Sequence, residues 1–368
     1  LFWRQRDNWF NGKKVEYIDL MFSFLRPYIF NLDPEKAHKL AISSLKYNLL
    51  PESLFKVENE EILSINLFGK SIKNPIGLAA GFDKSAEVYN QMFKIGFGFV
   101  EVGTVTPNKQ YGNPKPRVFR LEKDSALINR LGFNNDGSDL VKKRIENNLP
   151  KSLLGINIGP NKTTKDMSQD FLSCAETFFP LGDYITINIS SPNTEGLRDF
   201  HKKEILKELL TKINQIREKS SFRKSFLLKI SPDLNEKNID EIINLILEYK
   251  IDGIILTNTT DRNRDNLLSN NSIETGGLSG KPLRSLSTKL IKRFYKDLKG
   301  KASIIGVGGI DSGKSAFEKI AAGATALQLY TGMVYGGPMV IKEIKKDLIK
   351  ILNEQGFRNI KEAIGSYS

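Results

Sequence analysis

The stretch Asn188–Arg198, NISSPNTEGLR, begins at the end of an apolar run, DYITINI (183–189). It sets two asparagines and two serines where a strand of that composition would end. A serine there is a nucleophile, a general base or a loop former. Other apolar runs end the same way, so Lys84, Asn157, Lys229, Thr257 and Asn258 join Asn188, Ser191 and Asn193 as strand-end polar residues. Amides, hydroxyls and two ammonium groups, with almost no carboxylate among them, suit a flat, polar, anionic heterocycle. They do not suit a metal ion or a glycosidic bond.

Several other chemistries fail on residue type and place. The two histidines, His38 in a helical pattern and His201 in a loop, have no carboxylate cluster beside them, so no metal site is expected. Neither lies at a strand end, which removes a Ser-His-Asp triad. The single cysteine, Cys174, excludes an intrachain disulfide framework and reads as a core residue inside the helical pattern DFLSCAETFF. Gly308–Ser315, GGIDSGKS, matches the expression of a nucleotide-binding P-loop. It follows the seventh apolar run of eight, however, and no apolar run ends in a magnesium-binding aspartate, so that reading is set aside. Glycine turns at 276–280, 306–309 and 330–332 are better placed to offer backbone N–H groups to a phosphate.

These residues must be positioned by the eight short apolar runs themselves: 76–82, 97–103, 153–159, 183–189, 225–231, 252–258, 302–309 and 326–332. Near-continuous apolarity is what strands buried on both faces require. Helical stripes separate them, as in Ile205, Leu206, Leu209, Leu210, Ile213 and Ile216, or Ile239, Ile242, Ile243, Ile246 and Leu247. Alternation of eight strands with helices predicts an α/β fold, a (β/α)₈ TIM barrel, with an open doubly wound sheet as the alternative. Residues 104–135 and 261–284 are long insertions on the strand-end face, expected to form a lid or wall over the substrate.

Ahead of the barrel lies an N-terminal two-helix extension. Tyr17, Ile18, Met21, Phe22, Phe24, Leu25, Tyr28 and Ile29 give the first helix a bulky apolar face. Asp33 caps the second helix and Pro34 opens it. The pair either packs under the barrel or dips into a bilayer surface. The expected division is 1–50 for the helical extension and 51–368 for the barrel. A formal charge of +13 invites an anionic partner, but the cations are spread over nearly every helix. No basic stripe interleaved with aromatics forms, so no nucleic-acid partner is expected. No run of about 20 apolar residues is present to span a membrane. The sequence starts at Leu1 without a methionine, which leaves room for an upstream leader or anchor.

Five blocks carry a resemblance: NPIGLAAGFDK (74–84), GNPKPRVFRL (112–121), INRLGFNN (128–135), NISSPNTEGLR (188–198) and ETGGLSGKPL (274–283). Together the motifs resemble dihydroorotate dehydrogenase of the membrane-associated, quinone-using class, over about 330 residues. The resemblance implies an FMN-containing barrel, one FMN per chain, that oxidises dihydroorotate to orotate in pyrimidine synthesis with ubiquinone or a related quinone as co-substrate. It implies FMN contacts at Ala80, Gly81, Lys84, Thr104, Asn157, Asn188, Lys229 and Thr257. Gly280, Gly309, Tyr330 and Thr331 would lie near the phosphate. Dihydroorotate would meet Lys84, Asn129, Arg130, Leu131, Gly132, Phe133, Asn188, Asn193, Asn258 and Thr259, with Ser191 as catalytic base. Ser191 stands where cytosolic relatives carry cysteine, and a relay through Thr194 and water is expected to help so weak a base. His38, Arg120 and Tyr330 match polar positions of a quinone tunnel, with Phe22, Leu25 and Ala41 along its walls. The implied location is peripheral, on the cytoplasmic face of the inner membrane of a bacterium or on the mitochondrial inner membrane of a eukaryote. A second flavin barrel, a tRNA dihydrouridine synthase, would use the positive charge, but its usual acid is a strand-end cysteine and Cys174 is misplaced for it. A basic peripheral binding protein without catalysis is the third reading.

Overall fold

The computed structural model describes residues 22–47, 51–219, 224–262 and 264–368. Eight parallel strands close on themselves: β1 (Ile76–Leu78), β2 (Phe99–Val105), β3 (Leu153–Ile158), β4 (Tyr184–Asn188), β5 (Ser225–Lys229), β6 (Gly253–Leu256), β7 (Ser303–Val307) and β8 (Ala326–Leu329). Each pairs with its successor, and β8 returns to β1 with Leu327 opposite Ile76. Closure excludes the open doubly wound sheet. Every residue of β2, β3, β4, β6 and β8 is buried, as apolar runs covered on both faces demand. The register between β4 and β5 sets Asn188 opposite Lys229 at the C-terminal rim.

The helices form the outer ring. Lys203–Lys219 turns Leu206, Leu209, Leu210 and Ile213 inward, and Glu236–Glu248 does the same with Ile239, Ile242, Ile243 and Ile246. Cys174 is fully buried on the helix Met167–Phe178. The helix Gly313–Ala321 explains the P-loop-like string. Ser312 and Ser315 cap its N-terminus reciprocally, and Lys314 points into solvent.

A hairpin, Ile65–Leu67 with Lys70–Ile72, lies at the other end of the barrel. Phe68 at its turn packs on Tyr184, the first residue of β4, with ring centroids 5.1 Å apart. The Tyr184 ring in turn fills the space over Gly155 in β3, where an added Cβ would stand 2.0 Å from ring carbon. Gly155→Ala is therefore expected to cost roughly 1–3 kcal/mol, the usual cost of overpacking a filled core. Thermal melting checks this, and an unchanged midpoint would show that the ring can move aside.

The insertions hold more order than a loop. Val118–Leu121 and Ala126–Asn129 form an antiparallel pair, and Gly277–Gly280 of the second insertion adds to it as a third strand. One continuous wall thus stands over the barrel mouth. The N-terminal helices cover that same mouth: a helix over 22–31 and a second, Pro34–Lys46, opened by Asp33, which accepts the Lys36 N–H. They sit over the C-terminal strand ends, not beneath the barrel. Tyr17, Ile18 and Met21 lie outside the described residues.

Candidate functional site

A cavity of about 990 Å³ opens at the C-terminal ends of the strands, beneath the helix Pro34–Lys46. Ala80, Gly81 and Lys84 reach it from the segment after β1, and Thr104 from the end of β2. Asn129, Leu131, Gly132 and Phe133 come from the three-stranded wall and the loop beyond it. Asn188 ends β4 with Ser191 and Asn193 after it, Lys229 closes β5, and Thr257, Asn258 and Thr259 follow β6. Gly280, Gly309, Tyr330, Thr331 and His38 complete the lining. Residues scattered over nearly 300 positions of sequence thus share one chamber.

Asn157, Arg130 and Arg120 do not line it, and neither do Thr194, Phe22, Leu25 and Ala41. Asn157 lies behind the surface, fully buried, where its side chain accepts from Thr104 Oγ1 at 2.6 Å and from Asn188 Nδ2 at 3.1 Å. The Arg130 guanidinium turns away to Glu274 at 2.8 Å and lies over the Phe119 ring. Arg120 caps the first helix, donating to the carbonyls of Phe30 and Leu32 at 3.0 and 2.8 Å. Each is held by partners that strand-end logic alone does not reveal.

The electrostatics have a definite sign. The rim carboxylates are already matched: Glu35 takes a bidentate pair from Arg117 at 3.0 and 2.9 Å, Asp136 meets Arg144 at 2.8 Å, and Glu87 meets Lys46. Lys84 and Lys229 face the cavity, and among the described residues neither ammonium donates to a protein acceptor. Burial pulls the Lys84 pKa down to about 8, against the attraction of Glu35. Burial likewise lowers that of Lys229, against the pull of Glu101. A half-buried and a buried cation without acceptors call for an anion in the chamber.

Ser191 is 6% exposed, and its Oγ accepts the Asn193 N–H at 3.2 Å. The serine is therefore a loop former through its lone pair, while its own proton has no protein acceptor among the described residues. Asn193 Nδ2 donates to the Asn129 carbonyl at 3.1 Å, which ties the serine loop to the wall. Gly280 has φ +94°, and a Cβ there would lie 2.4 Å from the Ser125 carbonyl oxygen. Gly309, at φ +71°, would bring a Cβ to 2.6 Å from Arg284, so both positions admit only glycine and keep the backbone open to a ligand.

Beside the chamber, His38 meets Phe82 edge-on at 5.1 Å and stands 6.4 Å from the Tyr330 ring. Burial and the nearby Lys84 ammonium push its pKa down to about 3, so the imidazole is neutral at physiological pH. Burial raises the Tyr330 phenol to about 12. Sequence reasoning missed Glu101, a single carboxylate inside the apolar run of β2 and fully buried. Its signal was present: a charged residue at a core position needs several donors. Among the described residues no group of three or more His, Cys, Asp or Glu could hold a metal ion.

A closed barrel with an amide-lined, cationic chamber at its C-terminal rim is the frame of a (β/α)₈ enzyme acting on a small anionic ligand. The family model for dihydroorotate dehydrogenase matches residues 62–352, and the chain belongs to that family. It is 45% identical over 344 residues to the mitochondrial dihydroorotate dehydrogenase (quinone) of Mus musculus, covering 91% of this chain and 87% of the mouse protein. The dihydroorotate dehydrogenase (quinone) of Rhodospirillum rubrum is 44% identical, over 92% of this chain and 93% of its own. The crystal structure of Eimeria tenella DHODH in complex with ferulenol superposes with a TM-score of 0.86 at 40% identity, covering 91% of this chain and 96% of that one. Family membership removes the tRNA-modifying and non-catalytic readings. It agrees with the burial of Cys174, whose thiol pKa is driven up by its surroundings.

Proposed function

We propose that this chain oxidises (S)-dihydroorotate to orotate, with FMN as hydride acceptor and a quinone as final electron acceptor, in de novo pyrimidine synthesis. The observation that carries the reading is the pair of unmatched ammonium groups, Lys84 and Lys229, facing one amide-lined chamber of about 990 Å³. That volume suits a flavin mononucleotide with a pyrimidine beside it. The donor set fits FMN as well: a cation at the ring, and glycine turns with open N–H groups for the phosphate. Bound FMN would supply an acceptor for the hydride from C6 of dihydroorotate and a carrier of its electrons to the quinone.

The chain's residues divide the remaining tasks. Lys229 and Thr257 would hold the ring, with Lys229 steadying negative charge that develops there. Ala80, Gly81 and Thr104 would hold the same ligand, and Gly280, Gly309, Tyr330 and Thr331 its phosphate, with Asn157 serving from behind. The amides of Asn129, Asn188, Asn193 and Asn258 match the donors and acceptors of a pyrimidine imide edge. Lys84 takes the substrate carboxylate. Leu131, Gly132, Phe133 and Thr259 close the pocket, with Arg130 fixing the wall behind them. Ser191 takes the C5 proton, and Thr194, buried three residues further on, is the first candidate to pass it outward. Anaerobic dihydroorotate should bleach the yellow protein, and a quinone should restore the colour. A flavin that stays oxidised would sink the substrate assignment.

We further propose that residues 1–50 form the membrane-associating and quinone-admitting part and 51–368 the catalytic barrel. Supporting this, the helix over 22–31 exposes Phe24 by 68% and Tyr28 by 63%, with Leu25 and Leu32 also open. Among the described residues no helix is long and apolar enough to cross a membrane, so the proposed association is with one face of the bilayer. The quinone path runs under Pro34–Lys46 to His38 and Tyr330, with Arg120 holding the helix end in place. Removing residues 1–31 is expected to spare oxidation by a soluble dye and to lower long-chain quinone turnover at least tenfold. Equal loss of both activities would make the extension purely structural.

A further inference from the structure

Side-chain amides are ambiguous groups, because oxygen and nitrogen can exchange places. A carboxylate is not: it only accepts. The Glu101 carboxylate sits fully buried in β2 and receives four donors. Tyr184 Oη, Thr186 Oγ1 and Gln328 Nε2 reach its Oε2 at 3.0, 3.1 and 3.0 Å. Asn157 Nδ2 reaches Oε1 at 2.8 Å. Asn157 must therefore turn its nitrogen toward Glu101 and its oxygen toward the chamber.

That choice propagates. The Asn157 oxygen accepts from Thr104 Oγ1 and from Asn188 Nδ2, at 2.6 and 3.1 Å. Asn188 turns its oxygen to the far side, where it accepts the Ser190 hydroxyl at 2.8 Å, the Ser190 N–H at 3.3 Å and Asn258 Nδ2 at 3.4 Å. Ser190 Oγ in turn accepts from Asn258 Nδ2 at 2.8 Å, and the Asn258 oxygen accepts the Thr259 N–H at 2.8 Å. The chain of bonds leads from the barrel interior to the rim.

We propose that Glu101 is a positioning residue, its carboxylate imposing a single orientation on the Asn157 amide and so placing an acceptor under Thr104 and Asn188, whose amide, like that of Asn258, is also fixed by a backbone N–H. The proposal rests on the flavin and pyrimidine reading of the chamber, and its test reads the two apart.

The test exchanges donor and acceptor across the first link. In Asn157→Asp an acceptor-only side chain faces the Glu101 carboxylate, so two buried carboxylates collide. FMN affinity, followed by quenching of FMN fluorescence, should fall at least tenfold, and the melting temperature should fall with it. Adding Glu101→Gln supplies a donor to the carboxylate introduced by N157D, while leaving that group's outward oxygen to Thr104 and Asn188. The double variant E101Q/N157D should recover FMN binding to within about threefold of the parent. E101Q alone should weaken FMN binding roughly three- to tenfold, because an amide at 101 no longer forces the Asn157 nitrogen toward it; parent-like binding in E101Q overturns the proposal. A loss caused by N157D that is the same in the parent and in the E101Q background overturns the proposal. If N157D does not fold, a folded double variant supports the proposal and an equally unfolded one overturns it. A parent protein that takes up no FMN would refute the flavin reading, while the melting temperatures of the same three variants still decide the role of Glu101.

Discussion

On the proposed function, replacing Ser191 by alanine is expected to slow reduction of the bound flavin by dihydroorotate about 10²–10⁴-fold at neutral pH, the usual worth of general base catalysis, while FMN stays bound. The expectation follows from the split between the two ends of the serine. Its oxygen already accepts the Asn193 N–H at 3.2 Å, so alanine loses one loop hydrogen bond of modest value. The proton-handling role proposed for it has no substitute nearby: the lining carboxylates Glu35, Glu87 and Asp136 are each engaged by a cation. Anaerobic stopped-flow absorbance in the band of oxidised flavin separates these outcomes. Unchanged reduction would leave Ser191 a loop former only.

Lys84→Met should raise the KM for dihydroorotate about tenfold to 10²-fold, corresponding to the ~1.5–3 kcal/mol of a hydrogen bond to a charged group. Methionine keeps the length of the half-buried stem, so packing around it is little disturbed. The pH dependence sharpens the test. With a pKa near 8, Lys84 is cationic below that value and neutral above it. The parent's KM should therefore rise as pH climbs past about 8, once the ammonium that holds the substrate carboxylate is lost. In the methionine variant KM should be high throughout and show no such rise. A rise that persists in the variant would assign the titration to another group.

Much of this is legible in the residues alone. The eight strands are visible because residues covered on both faces leave continuous apolar runs, and the chamber because polar residues break those runs at one end only. The three-stranded wall is not. Its strands are four residues long, and Ala126–Asn129 finds its partner at Gly277–Gly280, far along the chain. Periodicity in a short window holds no record of such a pairing. The seat of the N-terminal helices is equally hidden, since it depends on Glu35 meeting Arg117 across 82 positions. Asn157 and Arg130 show the complementary limit: a residue at a strand end or in a binding block can serve from behind, through its neighbours. Glu101 shows that one charge in an apolar run can organise more than the surrounding polar residues do.

The wall also dictates when the mouth of the enzyme can come into being. Its central strand has both edges occupied only after Gly280 has left the ribosome, when most of the barrel has already been synthesised. Pairing over so long a separation carries a large loop-closure cost that earlier barrel contacts must first reduce. The geometry around Asn129 is therefore a late product of folding, and a chain truncated before the sixth strand's insertion would carry Ala126–Asn129 without the strand that covers its second edge.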